Sequence, residues 1–328
     1  MTRYKATVIG CGRIGCEFDS DPKRKQIVTH AGAYNYISNV DLVALVDKDT
    51  KKAMRYSEKH NGPSIFSDHN NMLKTIKPDI VSICIPPDTH LQIIKDCVKH
   101  NVKGIFCEKP IADKLKGVSE VVKLCEDNNV ILQIDHQRRF CQLHNNVKDL
   151  LKKDNIQSAT FYYTAGIKNS GSHMFDLLCF LIGKPNWVVA SKSKNLSNKE
   201  DDCNYDGIIN FENNVFCSIH ACDNNNFLIF ELDIITDKHR YVIKDAGFKA
   251  EVYNVDNSKH FSGYKELYKA ADIDANPNAS LLVSGAGHLI RCIEEQKTSI
   301  SSGRDGLLTL ELIYAFEKSA KENKKVLL

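Results

Sequence analysis

The chain has 328 residues, a length that favours two domains over one. Hydrophobic residues make up 42% of it and charged residues 26%, as in ordinary globular proteins, and a formal net charge of +3 is too small to favour nucleic acid or a membrane surface as a partner. No apolar run reaches the roughly 18 residues of a membrane-spanning helix. The twelve cysteines form no C-x-x-C pair, so we expect free thiols, a cytoplasmic protein and no metal site.

The first 136 residues alternate strand-like and helix-like patterns. The strand-like runs are nearly continuous in apolar residues, as in strands covered on both faces. Strands separated by helices of this length predict a doubly wound parallel sheet, an α/β fold. The predicted strands cover residues 6–9, 40–46, 80–85, 102–107 and 130–134, and the predicted helices cover 30–37, 51–59, 68–76, 88–100 and 115–128.

The pattern changes after residue 137 to several strands with little helix between them, which predicts an α+β domain with a large, mostly antiparallel open sheet. We therefore divide the chain into two domains, residues 1–136 and residues 137–328. The predicted helices are 140–152, 173–182, 279–296 and 306–322, and the predicted strands are 159–163, 187–193, 207–211, 215–221, 227–235, 240–244 and 250–255.

The first strand ends in the sequence Gly10-Cys11-Gly12-Arg13-Ile14-Gly15. In a G-x-G-x-x-G turn the first glycine makes the bend, the second lets the backbone approach a pyrophosphate, and the third lets the helix pack closely. The polar stretch 17–29 delays the helix. A solvated loop is its favoured interpretation, and contact with a substrate phosphate is the alternative.

Acidic and basic side chains follow the other predicted strands. Asp47 closes the second strand, where an acidic residue accepts hydrogen bonds from the adenosine ribose. It would repel a 2′-phosphate, so we expect NAD, and the neighbouring Lys48 leaves NADP open. Two further segments, residues 85–90 and 107–110, stand at carboxyl ends of strands, where open α/β sheets bind ligands.

Together these residues resemble the glucose–fructose oxidoreductase / inositol dehydrogenase family, also written Gfo/Idh/MocA. The resemblance extends over nearly the whole chain and implies a nicotinamide-dependent oxidoreductase acting on sugars, cyclitols or their derivatives. It implies that residues 1–136 are a Rossmann NAD-binding domain and residues 137–328 a substrate-binding and oligomerisation domain, with the last helix packing back toward the Rossmann domain. The matching segments are Gly10 to Gly15, Asp47, Pro86-Pro87-Asp88-Thr89-His90, Glu108-Lys109-Pro110, Arg138-Arg139-Phe140, Asn169 to Asp176, and Ser301 to Gly306.

The resemblance also implies roles for single residues. Lys109, before a cis proline, would reach the nicotinamide ribose and the substrate hydroxyl, and His173 would be the first choice as base. Many family members have an aspartate four residues before the histidine, whereas this chain has Asn169, which cannot take up a proton. The cofactor contacts implied are Gly10, Gly12, Arg13, Ile14, Asp47, Ile85, Pro86, His90, Glu108 and Lys109. From their positions beside the motifs, the candidate substrate contacts are Gln137, Arg138, Tyr163, Lys168 and Asp176, and a structural role is the alternative for each of them.

We therefore expect a dehydrogenase that forms a homodimer or homotetramer through one face of its C-terminal sheet. Two alternatives stay open because a fold does not fix a function. One is a regulator that senses a sugar or NAD without turnover. The other is a glycosidase that uses bound NAD transiently.

Overall fold

The computed structural model describes residues 2–276 and 279–328. Contacts within the chain divide it into two compact units, Met1–Phe140 with Pro277–Leu310, and Cys141–Asn276 with Glu311–Leu328. The helix predicted at residues 279–296 therefore belongs to the first unit. The predicted division at residue 136 assigned this helix to the second domain. The functional division between cofactor and substrate domains stays a prediction.

The first unit contains a six-stranded parallel sheet in the order β3-β2-β1-β4-β5-β6. Every residue of β4 and β5 is buried, which explains their continuous apolar sequence. Strand β1 pairs with both β2 and β4, so the strand order reverses beside it. The strands are β1 Tyr4–Ile9, β2 Val40–Val46, β3 Ser64–Phe66, β4 Ile80–Ile83, β5 Gly104–Cys107 and β6 Ile131–Ile134.

Side-chain caps start four helices of this unit. Thr29, Asp49, Asp68 and Ser280 each accept a hydrogen bond from the backbone N–H three residues later, which satisfies one of the unpaired donors at a helix start. The delayed helix after the glycine turn is confirmed, because α1 begins at His30. The helices are α1 His30–Tyr36, α2 Thr50–Lys59, α3 His69–Ile76, α4 His90–Lys99, α5 Val118–Asp127 and, late in the chain, α8 Leu281–Glu295.

The second unit contains a nine-stranded sheet in the order β14-β13-β12-β11-β7-β10-β9-β8-β15. All its pairings are antiparallel except β7 with β10, which confirms the mostly antiparallel sheet. The helices are α6 Gln142–Leu151, α7 Gly171–Leu181 and α9 Gly303–Glu322, whose last part lies in this unit. The strands are β7 Ile156–Tyr163, β8 Pro185–Lys192, β9 Tyr205–Phe211, β10 Phe216–Ala221, β11 Phe230–Thr236, β12 His239–Lys244, β13 Lys249–Asn257, β14 Lys265–Asp274 and β15 Val326–Leu327.

Strands β3, β14 and β15 were not predicted. Strand β14 is mostly exposed on both faces, so its sequence has no apolar alternation to reveal it. Polar contacts help hold it: Glu251 on β13 accepts hydrogen bonds from Lys244 at 2.6 Å, Lys269 at 2.8 Å and Tyr253 at 2.9 Å. These bonds lower the pKa of Glu251 to about 2.

Two expectations from composition can be compared with the fold. The cysteines are free thiols, and most of them are buried. Among the described residues, no helix has both the length and the apolar character needed to cross a bilayer.

Candidate functional site

The glycine turn after β1 is closely packed at its first and third glycines. Gly10 has a φ of +98°, and a Cβ there would lie 2.4 Å from the Cys84 carbonyl oxygen. A Cβ on Gly15 would lie 1.9 Å from the Gly10 carbonyl oxygen. Because these obstacles are backbone atoms, no larger residue fits at either position.

Gly12 differs from its two neighbours. Its φ of −76° can be adopted by any residue. Among the described residues other than its two chain neighbours, only Lys52 Nζ comes within 4 Å of a Cβ built there, at 3.9 Å. The lack of a side chain at Gly12 therefore leaves an unfilled space beside its Cα. That space is what a pyrophosphate needs for close approach to the backbone, so the turn fits a dinucleotide.

Asp47 stands beside this turn at the end of β2. Its Oδ2 accepts a hydrogen bond from the Cys11 N–H at 2.8 Å, and its Oδ1 accepts one from the Asp49 N–H at 2.9 Å. Each carboxylate oxygen keeps a second acceptor position for a ribose hydroxyl. Arg13, which is exposed, and Ile14, which is half-buried, follow in a single helical turn.

The loop between the glycine turn and α1 is tied together by Asp19. The Asp19 Oδ1 accepts a hydrogen bond from the Val28 N–H at 2.7 Å, and its Oδ2 accepts one from the Thr29 hydroxyl. Thr29 is itself the N-cap of α1, so one carboxylate closes the loop onto the helix start. The side chains of residues 22–25 between these points are exposed.

His90 joins the segments that follow β4 and β5. It is fully buried, with Nε2 at 2.8 Å from the Ile85 carbonyl oxygen and Nδ1 at 3.2 Å from the Pro110 carbonyl oxygen. Burial lowers the pKa of His90, although the nearby carbonyl oxygens oppose that shift. The imidazole thus clamps two loops, and Pro86, beside one of them, is exposed.

The Lys109–Pro110 peptide bond is cis, as the resemblance implies. Lys109 is half-buried and directly follows Glu108. The Glu108 Oε1 lies 3.2 Å from His30 Nε2, and its carboxyl group also hydrogen-bonds to Asp135. Burial raises the pKa of Glu108 and raises that of Asp135 further, and the same cause lowers the pKa of His30 to about 4.

The turn Gln137–Phe140 follows β6. The Gln137 Nε2 donates to Asp135 Oδ2 at 3.0 Å, and Arg138 beside it is half-buried. Arg139 is buried; its Nη1 donates to the Ile300 carbonyl oxygen at 2.7 Å and pairs with Asp305 Oδ1 at 3.0 Å. The second arginine of the motif therefore anchors this turn.

In the second unit, Asp202 holds the segment that carries Asn169. The Asp202 carboxylate accepts hydrogen bonds from the Lys168 N–H at 2.7 Å and the Asn169 N–H at 2.9 Å. A Cβ on Gly166, whose φ is +88°, would lie 2.3 Å from the same carboxylate. No motif marked Asp202 in the sequence, because it lies 33 residues beyond Asn169 in a polar stretch.

Helix α7 carries the remaining predicted residues of this unit. His173 is half-buried and Asp176, three residues later, is buried. Tyr163, a predicted substrate contact, is buried, and its hydroxyl donates to the Tyr205 carbonyl oxygen at 2.9 Å and accepts from the Tyr205 N–H at 2.8 Å. The exposed Lys168 Nζ lies 3.5 Å from Glu317 Oε1.

Several known proteins are similar in sequence. D-apiose dehydrogenase from Paraburkholderia graminis is 22% identical over 99% of this chain and 90% of its own length. Inositol 2-dehydrogenase from Rubrobacter xylanophilus is 32% identical over 33% of this chain and 31% of its own length. The uncharacterized oxidoreductase YrbE from Bacillus subtilis is 28% identical over 48% of this chain. The chain thus matches 42% of YrbE and about a third of inositol 2-dehydrogenase.

Solved structures share the fold over the full chain. A levoglucosan dehydrogenase in complex with NADH and L-sorbose has a TM-score of 0.82 at 15% identity, covering 100% of this chain and 99% of that one. An oxidoreductase from Agrobacterium radiobacter in complex with NAD+, L-tartaric acid and magnesium has a TM-score of 0.80 at 16% identity, covering 99% and 98%.

Two models of one protein family match this chain. The model described as "Oxidoreductase family, NAD-binding Rossmann fold" matches residues 4–136, where the glycine turn and Asp47 lie. The model described as "Oxidoreductase family, C-terminal alpha/beta domain" matches residues 166–328. The chain therefore belongs to the GFO_IDH_MocA oxidoreductase family, the family that its motifs resemble.

Proposed function

We propose that this protein is an NAD-dependent oxidoreductase that moves a hydride between the nicotinamide and a secondary alcohol or ketone of a sugar, cyclitol or activated sugar. The observation that carries the proposal is the open space in front of Gly12 beside the acceptor oxygens of Asp47. The substrate class is supported by the names of relatives such as D-apiose dehydrogenase and inositol 2-dehydrogenase.

In this proposal the N–H groups of Arg13 and Ile14, which follow Gly12, hold the pyrophosphate. The Cys11 N–H is bonded to Asp47, whose carboxylate holds the ribose. The charge of Asp47 disfavours a 2′-phosphate, which is the reason to prefer NAD to NADP. Ile85 and Pro86 border the cofactor. His90 and Glu108 act indirectly, since their buried polar atoms already contact protein groups.

The bound nicotinamide supplies the hydride chemistry, and the protein must place the alcohol and remove its proton. We assign Lys109 to stabilise the developing alkoxide through its ammonium group, and His173 to take up the hydroxyl proton. Asn169 can orient a hydroxyl through its amide but cannot act as a base. Asp202 positions Asn169, because it fixes the backbone of that segment.

The proposed substrate contacts are Gln137, Arg138 and Lys168, whose amide and cationic groups suit hydroxyl-rich or carboxylate-bearing ligands. Asp176 is proposed to orient the His173 imidazole from the same helix face. Tyr163, with its hydroxyl committed to Tyr205, is proposed to shape this region through packing.

We further propose a homo-oligomer formed through the face of the nine-stranded sheet that carries Tyr162, Phe216 and His220. Tyr162 and His220 are stacked there at 5.4 Å between ring centroids, and Ile208 and Phe216 are 41% and 49% exposed. Exposed apolar residues grouped on one sheet face are typical of a subunit interface. Light scattering during gel filtration tests this, and Phe216→Glu should release monomers.

The activity is tested with a panel of sugars and cyclitols, monitoring NADH absorbance. Lys109→Ala should lower kcat on the order of 10²–10³-fold while NAD still binds, because an electrostatic contact made to the alkoxide is lost. Lys114→Ala is the matched control, since its side chain is 77% exposed on the same loop. Undiminished activity of Lys109→Ala would refute its assigned role.

Two outcomes of the panel would refute the dehydrogenase proposal itself. NAD that stays bound through purification, with glycoside cleavage and no net NADH, would indicate the glycosidase alternative. Binding of a sugar or NAD that alters association with another protein, without turnover, would indicate a regulator.

A further inference from the structure

Three polar side chains from distant parts of the sequence meet beneath the carboxyl ends of β5 and β6. His30 begins α1, Glu108 follows β5, and Asp135 follows β6. Their donor atoms all lie within 4.8 Å of one another. The His30 Nε2 is 3.2 Å from Glu108 Oε1 and 4.0 Å from Asp135 Oδ2.

Asp135 is the member of this cluster that the fold leaves incompletely satisfied. It is 1% exposed, and its Oδ2 accepts a hydrogen bond from Gln137. Its carboxyl group also hydrogen-bonds to that of Glu108, but beyond this contact no donor in the described ranges 2–276 and 279–328 reaches the buried Oδ1. A buried carboxylate oxygen without a partner is strongly unfavourable, so such an atom points to a ligand.

His30 is held in the way that metal-binding histidines are held. Its Nδ1 lies 2.8 Å from Ser82 Oγ, which in turn lies 2.7 Å from the Tyr34 hydroxyl. This second contact directs Nε2 at the two carboxyl groups and, when Nδ1 carries the proton, leaves the Nε2 lone pair facing them. The Phe106 ring packs edge-on at 4.6 Å and forms an apolar wall behind the imidazole.

We propose that His30, Glu108 and Asp135 bind a divalent transition-metal cation. Binding would release the proton that the hydrogen-bonded Glu108 and Asp135 carboxyl groups share. The neutral imidazole and two carboxylates then carry a charge of −2, which such a cation neutralises, and one nitrogen with two oxygens is a ligand set for Zn²⁺ or Mn²⁺. Ligand atoms around tetrahedral zinc lie roughly 3.3–3.5 Å apart. The observed 3.2 and 4.0 Å come within that geometry after a shift of less than about 1 Å.

This proposal departs from the sequence-based expectation of no metal site, and it holds whether or not the proposed hydride chemistry is correct. The separation of the ligands explains why spacing gave no signal. His30 and Glu108 are 78 positions apart, so no short motif links them. Glu108 directly precedes Lys109, and an ion bound here would fix the segment that carries that lysine.

The test uses the full chain, stripped with a chelator and then titrated with Mn²⁺ or Zn²⁺ alone, with NAD and substrate absent. Calorimetry with Zn²⁺ should give one equivalent per chain, and electron paramagnetic resonance should show Mn²⁺ binding. Mn²⁺ is informative because it prefers oxygen and nitrogen ligands to the thiols of the twelve cysteines. Metal binding should also raise Tm.

Asp135→Asn and Glu108→Gln keep side-chain shape and should each weaken Mn²⁺ binding at least tenfold. Ser82→Ala should weaken it less, because Ser82 only orients the imidazole. Asp202→Asn, a buried carboxylate outside the cluster, is the control and should bind as the parent does.

Two results would overturn the proposal. One is no saturable Mn²⁺ or Zn²⁺ binding by the parent chain. The other is binding that Asp135→Asn and Glu108→Gln leave unchanged while circular dichroism shows them folded. A rise in Tm of metal-free Asp135→Asn without any metal binding by the parent would indicate instead that the two carboxyl groups only share a proton.

Discussion

The open space in front of Gly12 makes a sharp prediction, because replacing this glycine should affect cofactor binding and leave the fold intact. The backbone at Gly12 is extended, with φ −76° and ψ −162°, so alanine is allowed there. Its methyl group would meet only Lys52 Nζ, at 3.9 Å, within the described chain. In the NAD complex proposed above, that methyl group would stand in the way of the pyrophosphate.

The expected magnitudes follow from these distances. Gly12→Ala should raise the unfolding free energy by about 0.4–1 kcal/mol, since alanine restricts the unfolded chain, and should raise Tm by about 1–3 °C. The loss of a hydrogen bond from the backbone to a charged phosphate is worth about 1.5–3 kcal/mol, so Kd for NAD should rise roughly 10- to 150-fold.

Calorimetric titration with NAD and thermal unfolding of the unliganded protein measure the two effects separately. Gly287→Ala on α8 is the matched control, because its nearest described neighbour is Arg291 Nη1 at 3.7 Å, and it should raise Tm without changing Kd. Gly15→Ala is the opposite case and should lower the unfolding free energy by roughly 3 kcal/mol, because its Cβ meets backbone at 1.9 Å. If Gly12→Ala binds NAD as tightly as the parent, the assignment of the pyrophosphate to this turn is wrong.

Three carboxylates yield further predictions. Asp47→Asn should weaken NAD binding about tenfold and reduce the preference of the protein for NAD over NADP, measured as the ratio of the two Kd values. An unchanged ratio would contradict the assignment of Asp47 to the ribose. Asp202→Asn should speed hydrogen exchange of the Lys168 and Asn169 amides about tenfold, because both amides donate to this carboxylate. It should also lower kcat without changing the Kd for NAD. The control Asp201→Asn, at an exposed position, should change neither the exchange rates nor kcat. Asp154→Asn should lower the unfolding free energy by about 2 kcal/mol at pH 7 in urea titrations, and by less at pH 3.

The sign of the Asp154 prediction follows from its contacts. Burial raises the pKa of Asp154, but hydrogen bonds from His239 at 2.7 Å, Thr236 at 2.9 Å and Tyr241 at 3.0 Å outweigh burial and lower it. The native carboxylate therefore contributes stability above the unfolded pKa of about 3.9 and loses it as pH falls through the lower folded value. Equal destabilisation at both pH values would contradict this reasoning.

Local signals in the sequence were sufficient for most elements. The apolar run 40–46 is the strand Val40–Val46, and the helix after the polar loop begins at His30 as predicted. These two predictions are correct because strand periodicity and helix capping depend on residues that are neighbours in the sequence. Strand β14 could not be predicted in this way, because it is held by pairing with β13 and by contacts such as that of Lys269 with Glu251.

The sequence by itself determined the two fold classes, the glycine turn and the family. Only the tertiary structure decided which of the predicted polar residues already have partners, such as His90 between two carbonyl oxygens and Tyr163 on Tyr205. It also revealed Asp202 beneath Asn169 and brought His30 to Glu108 and Asp135. The physical reason is that a motif records neighbours along the chain, whereas hydrogen bonds and buried charges depend on neighbours in space.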